Sequence, residues 1–188
     1  MMDVVGIDEL VAAFGDLPGA AVGHGPRHPT GPSPAVADDL TWFFDEQYPG
    51  LKADPGYVEF MWKYAGLSRL DDGRHHIFYL YGFGPATADI LHDLDEDLAD
   101  EDGIFTFAEC TVDGDLPERP LDSYSVDFGF DLTGSRRPGV YRCETTMQVP
   151  RAAWEWHTDD FASFLAEAVA NGGVWPRPRL GAGGGMSR

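Results

Sequence analysis

A chain of 188 residues has the length of one ordinary domain, and at this size folding buries ~70% of the surface the unfolded chain exposes, so metal or disulfide staples are unnecessary. Its 13 Lys and Arg against 32 Asp and Glu leave a formal net charge of −19, which argues against a surface that gathers phosphates and for a basic partner or solubility alone. The two cysteines, Cys110 and Cys143, form no spaced metal-ligand set, Met1-Met2-Asp3-Val4 is no basic leader, and no apolar run approaches ~18 residues; the expectation is a soluble, cytoplasmic protein with reduced thiols, no nucleic-acid partner and no membrane.

In chain order, Ile7, Leu10, Val11 and Phe14 fall at helical spacing, and Asp8 and Glu9 suit the positive start of a helix. From Pro18 to Pro34 glycine and proline dominate, so residues 1–37 read as an N-terminal helix followed by a linker. Asp38 or Asp39 can cap a helix carrying Leu40, Phe43 and Phe44, which should stop at Tyr48-Pro49-Gly50. Pro55 then suits a first turn, and Tyr57, Phe60, Met61 and Tyr64 repeat at i, i+3, i+4 and i+7 before Gly66.

Past the turn signal Asp72-Gly73 the period becomes two. Ile77, Tyr79, Tyr81 and Phe83 alternate with Phe78, Leu80 and Gly82, which suggests a strand buried on both faces. Ile90, Leu91, Leu94 and Leu98 mark an acidic helix over 89–102, and Ile104 to Phe107 begin a strand that ends at Asp113-Gly114. Tyr124, Val126, Phe128, Phe130 and Leu132 alternate with Ser125, Asp127, Gly129 and Asp131, the pattern of a sheet with one face on a core. After a turn from Gly134 to Gly139, Tyr141, Cys143, Thr145, Met147 and Val149 continue the pattern, giving three or four antiparallel neighbours. Thr158 can cap a final helix with Phe161, Phe164, Leu165, Ala168 and Val169 on one face, closed by Asn171-Gly172-Gly173. Residues 176–188 offer little to bury and are expected to be disordered. The order of elements predicts a single α+β domain, a mostly antiparallel mixed sheet with helices packed on one side.

Motifs for chemistry are incomplete. Tyr81-Gly82-Phe83-Gly84 starts like a dinucleotide fingerprint, but Thr87 stands where the third glycine belongs and Pro85 interrupts, so a turn is the better reading. Asp100, Asp102, Gly103 and Glu109 fit the third, fifth, sixth and twelfth places of a calcium loop whose first place is Leu98, without an oxygen, which leaves only weak adventitious Ca²⁺ binding. His75-His76 opens a strand, so the two rings face opposite sides, and His24, His28, His92 and His157 lack metal-binding spacing. There is no Gly-x-Ser-x-Gly elbow, and no carboxylate stands in an apolar setting that would tune it for acid–base work. No catalytic residue, metal site or cofactor is expected.

Charge placement is more informative. Between His75 and Glu118 there is no Lys or Arg, while Asp89, Asp93, Asp95, Glu96, Asp97, Asp100, Glu101, Asp102, Glu109, Asp113, Asp115 and Glu118 contribute 12 negative charges. Such a stretch is either a solvated face or a docking surface for a basic protein. Read as a docking surface, its contact residues are Asp93, Asp95, Glu96, Asp97, Asp100, Glu101 and Asp102, joined by Trp154 and Trp156, which flank Glu155 and suit core anchors or interface hot spots, with at least one expected in the core.

The stretch Trp42-Phe43-Phe44-Asp45-Glu46-Gln47-Tyr48-Pro49-Gly50-Leu51, then Asp54-Pro55-Gly56-Tyr57-Val58-Glu59-Phe60-Met61 and Tyr64-Ala65-Gly66-Leu67, resembles the N-terminal signature of the SUKH superfamily, bacterial immunity proteins related to the Smi/Knr cell-wall regulators. Asp160-Phe161-Ala162-Ser163-Phe164-Leu165 is similar to the family's closing-helix pattern, and the resemblance covers residues 38 to 170, within a domain of 38–175. It implies a non-catalytic α+β domain that binds and neutralises a cognate toxin, often a nuclease or deaminase. Two other readings stay open: an adaptor or regulator of the same fold with the Arg-containing tail as a separate contact, and a metal-dependent hydrolase using His75 or His92 with nearby Asp residues.

Overall fold

The computed structural model describes residues 6–29, 34–64, 66–71, 76–82, 99–112, 124–146 and 152–175. Its elements run α1 (Ile7–Gly15), β1 (Ala20–Val22), α2 (Pro34–Trp42), a π-helical turn (Phe43–Gln47), a 3-10 turn (Pro49–Ala53) and α3 (Pro55–Lys63). Then come β2 (Leu67–Asp71), β3 (His76–Leu80), β4 (Ile104–Val112), β5 (Tyr124–Asp131), β6 (Val140–Thr146), β7 (Glu155–Thr158) and α4 (Phe161–Asn171). The seven strands form one sheet in sequence order, every neighbouring pair antiparallel. This is the expected α+β domain; every pairing among these strands is antiparallel, where the expectation was a mostly antiparallel mixed sheet.

Alternation decides which face of the sheet is covered. On β5 Val126, Phe128 and Phe130 are buried and lie in the core, with Phe78 and Leu80 of β3, Phe105 and Phe107 of β4 and Val140 of β6. Against them pack Leu10 and Phe14 of α1, Tyr57, Phe60 and Met61 of α3, and Phe161, Phe164 and Leu165 of α4. Rings meet face to face at Phe107 and Phe130, 4.5 Å apart, and at Phe164 and Trp175, 5.4 Å apart. Each such side chain contributes ~1.5–3 kcal/mol through burial, and each ring pair a further ~0.5–1.5 kcal/mol. Tyr57 is wholly buried among Phe44, Phe105, Phe107, Phe130 and Phe161, and its hydroxyl has no hydrogen-bond partner.

Several elements differ from the sequence expectations, each for a physical reason. The segment read as a linker contains β1, which pairs with β2, and α1 packs into the same core, so Ile7–Gly15 and Ala20–Val22 belong to the domain. Strand β2 has no clean alternation, since Leu67 is buried and Leu70 is half exposed. Helix α2 starts at Pro34, a residue suited to a first turn, which puts Asp38 and Asp39 inside the helix rather than at its cap. On β3 only Phe78 and Leu80 are fully buried, so one face and not both is covered. Tyr141 and Cys143 pair with Gly129 and Asp127, turning them to the face away from the helices. Asp160, not Thr158, caps α4, its Oδ1 accepting from the Ser163 N–H at 2.8 Å.

The region 83–98, and with it Asp93, Asp95, Glu96, Asp97, Phe83, Gly84 and His92, lies outside the described residues, as do His75, the turn signals at 72–73 and 113–114, Met147, Val149 and the tail 176–188. Among the described residues no helix is long and apolar enough to cross a membrane.

Candidate functional site

Strands β4 and β6 begin, and β5 and β7 end, along one edge of the sheet made by their strand ends, which brings together residues 99–103, 131–139 and 158–160, and a hydrogen bond from Trp154 to Asp100 ties the start of β7 to them. The first of these is a tight turn, not the end of an acidic helix. Asp100 Oδ1 accepts from the backbone N–H groups of Asp102 and Ile104, each at 2.9 Å. Gly103 follows at φ +73°, where a Cβ would lie 2.4 Å from Thr133 Cγ2. An Asp side chain that bonds its own following N–H groups competes with helix, and the left-handed glycine completes the reversal. The other carboxylate oxygen, Oδ2, accepts from Trp154 Nε1–H at 2.7 Å. Asp100 and Trp154, both expected at a partner surface, are thus joined, while Glu101 and Asp102 are exposed beside them.

The turn between β5 and β6 is organised by Asp131. Its Oδ1 accepts from the Thr133 hydroxyl at 2.6 Å and its Oδ2 from the Arg136 N–H at 3.0 Å, with the Arg136 guanidinium 3.3 Å from Oδ1. Burial works to raise the Asp131 carboxyl, but the Thr133 hydroxyl, the N–H groups of Arg136 and Thr133 and the Arg136 charge outweigh it and hold it below the usual carboxylate range. Arg136 Nη1 also donates to the Asp102 carbonyl at 3.0 Å, tying this turn to the first.

Arg137, next in the chain, lies over the Trp156 ring with its guanidinium carbon 3.6 Å from the centroid and Nη2 2.8 Å from Asp159 Oδ1. The ring edge is fixed from the other side, where Trp156 Nε1–H donates to the Pro138 carbonyl at 3.2 Å. Gly139 permits that approach: at φ +131° a Cβ would lie 2.7 Å from Trp156 Nε1 and 2.3 Å from the Thr158 carbonyl oxygen. Trp156 remains 36% exposed. Neither tryptophan joins the core, contrary to the expectation for at least one: Trp156 pairs with Tyr141 on the face away from the helices, and Trp154 reaches out to the Asp100 turn.

A cleft of about 340 Å³ adjoins this turn, walled by Leu51, Pro55, Phe130 and Pro138 and bordered by the starts of α3 and α4. The positive helix ends there are already occupied. Asp54 Oδ1 accepts from the Tyr57 N–H at 3.0 Å and its Oδ2 from the Phe161 N–H at 2.8 Å, so one carboxylate serves both helices, and Asp160 serves α4 again.

Other residues singled out in the sequence are engaged elsewhere. Glu109, the twelfth place of the calcium pattern, sits on β4 and accepts from the Tyr81 hydroxyl at 2.7 Å and the Thr111 hydroxyl at 2.6 Å, so extended strand separates it from Asp100. His24 and His28 stack at 4.0 Å, and His157 Nε2 lies 2.7 Å from Glu167 Oε2. Cys110 and Cys143 are buried and form no disulfide, the Cys143 thiol donates to the Ala152 carbonyl at 3.1 Å, and burial pushes the Cys110 thiol up. Among the described residues no three His, Cys, Asp or Glu side chains converge as metal ligands.

The functional reading of charge alone missed Arg136, Arg137 and Asp159. A signal for them existed in Asp131-Leu132-Thr133-Gly134-Ser135-Arg136-Arg137, where turn-forming side chains lead into paired arginines. No protein-family model, no curated protein and no solved structure matches the chain.

Proposed function

We propose that this chain is a SUKH-like protein-binding domain that binds and neutralises a cognate toxin, with the edge formed by residues 99–103, 131–139 and 154–160 laid on a basic surface of that toxin. The resemblance rests on residues that serve the scaffold: Tyr48, Leu51, Tyr57, Phe60, Phe161 and Phe164 are all buried. Such residues specify a fold on which a binding surface is carried.

One observation carries the choice of surface. Trp156 is a large exposed aromatic held by Arg137 and Pro138 and bordered by Glu155 and Asp159, with the Asp100-bonded Trp154 just before it. Tryptophan is enriched among residues that dominate binding energy, and surrounding carboxylates favour encounter with a basic partner. Glu101 and Asp102 add exposed negative charge at the same edge, and Asp93, Asp95, Glu96 and Asp97 precede them closely in the sequence. The protein from the gene next to its own is the partner to test, by calorimetry and by protection of cells expressing it. Binding that weakens from 0.05 to 0.3 M salt, with protection, is the expected result, since exposed charges are screened over ~8 Å at physiological ionic strength. Absence of both binding and protection contradicts the proposal.

A further inference from the structure

We infer that the Trp156 ring and the Asp159 carboxylate form a recognition site for an arginine side chain of the protein partner, and that the chain's own Arg137 fills it until that partner arrives. The inference rests on the proposed partner-binding role and names the chemistry that this surface takes. Its basis is the geometry around Arg137. The Arg137 guanidinium carbon stands over the indole ring, 3.6 Å from its centroid, while Nη2 reaches Asp159 Oδ1 at 2.8 Å, so one aromatic face and one carboxylate together satisfy a single cation. This pair of contacts suits a planar guanidinium better than an ammonium, because only the former stacks on the ring while its edge donates to a carboxylate.

The occupant is held loosely and the receiving ring firmly. The Arg137 and Asp159 side chains are 59% and 73% exposed, so water screens their ion pair. Trp156, by contrast, is fixed through its Nε1–H to the Pro138 carbonyl and by the close approach at Gly139. The main chain of Arg137 is also fixed, its carbonyl accepting from the Tyr141 hydroxyl at 2.7 Å. Swinging the Arg137 side chain aside therefore leaves ring and turn in place and exposes the Asp159 carboxylate beside them. An incoming arginine recovers both contacts at a preorganised site, and charge complementarity with a chain of net charge −19 favours its approach.

The test uses the full chain at 0.15 M salt, with an acetylated, amidated octa-arginine peptide as the probe and octa-lysine as comparator. The Trp156 indole N–H signal in a ¹H–¹⁵N NMR spectrum, assigned by its loss in Trp156→Phe, reports occupancy of the site itself. In Arg137→Ala the signal should move saturably with octa-arginine at a concentration about two- to five-fold lower than in the wild type, and less with octa-lysine. No movement, or a midpoint equal to or above that of the wild type, overturns the inference. Far-UV circular dichroism keeps unfolding of the variant from being mistaken for loss of the site. Sedimentation of Arg137→Ala without peptide must match the wild type; faster sedimentation assigns the site to a second copy of the chain and overturns the inference too. If the neighbouring gene's product binds the wild type, Arg137→Ala and Trp156→Ala equally well, this inference and the choice of the Trp156 surface fail while toxin binding as such stands. If that protein does not bind at all while octa-arginine moves the Trp156 signal, the toxin-binding role fails and the arginine site stands.

Discussion

The helix-covered face of the sheet and the edge formed by the 99–103 and 131–139 turns are built by opposite means. The face is held by rings whose positions repeat at i+2 along β4 and β5 and at i+3 or i+4 along α3 and α4, and its interactions are non-directional. The edge is held by side chains that satisfy particular named groups, such as Asp100 on Trp154 and on two backbone N–H groups, and Arg136 on the Asp102 carbonyl. The first arrangement confers most of the stability and tolerates changes of detail; the second confers less and sets where an aromatic and a charge stand. Substitutions should therefore separate stability from binding according to region.

The largest effect is expected in the core. Phe107→Ala removes a ring packed on Phe130, Phe161 and Phe164 and should destabilise the fold by ~3–5 kcal/mol in urea unfolding. If the variant remains folded at low temperature, its partner affinity should match that of the wild type. Asp100→Ala comes next, because it strands two backbone N–H groups and the Trp154 N–H; a loss of ~1–3 kcal/mol is expected, with weaker partner binding as well. Tyr57→Phe removes a buried hydroxyl that has no partner, and should leave stability unchanged or raise it by ~1 kcal/mol, a gain where every other core change gives a loss. Arg137→Ala should alter stability by less than ~1 kcal/mol, since both of its contacts are exposed.

A pH titration sharpens the contrast at the seam between β7 and α4. Burial pushes the His157 imidazole down, opposed by Glu167 and reinforced by Arg142, with a net pKa below its ordinary value of 6.5. The unfolded chain therefore takes up that proton first, and the stability tied to neutral His157 is full above pH 6.5 and declines as pH falls below it. Urea midpoints at pH 7.5 and 5.5 should show this decline, and His157→Gln should flatten it. Asp131 acts at lower pH: its carboxyl lies below the ordinary 3.8, so its contribution is present above that value and is lost as pH falls through the folded value.

Legibility in the sequence follows the same division. Helices α1, α3 and α4 and strand β5 were readable because their burial is periodic and local. Strands β1 and β2 were not, since β1 has three residues in a Gly/Pro-rich stretch and β2 carries the exposed Leu70. At the edge, acidity and the two tryptophans were visible, but their arrangement was not. Asp100 and Trp154 are 54 residues apart and Arg137 and Asp159 are 22 apart, so only the pairing of β4 with β5, β6 and β7 brings them together. A single carboxylate bonding the starts of two helices, as Asp54 does with Tyr57 and Phe161, is equally invisible along the chain because its second contact lies 107 residues away.

The most direct test is calorimetric titration of the neighbouring gene's product into the wild type and Trp156→Ala, with thermal unfolding of both chains measured alongside. Binding to the wild type is expected, with a loss of affinity of about 30-fold in the variant, as for an interface residue that dominates binding, and closely similar melting. Equal affinities for the two chains, or no binding to either, would contradict the proposal.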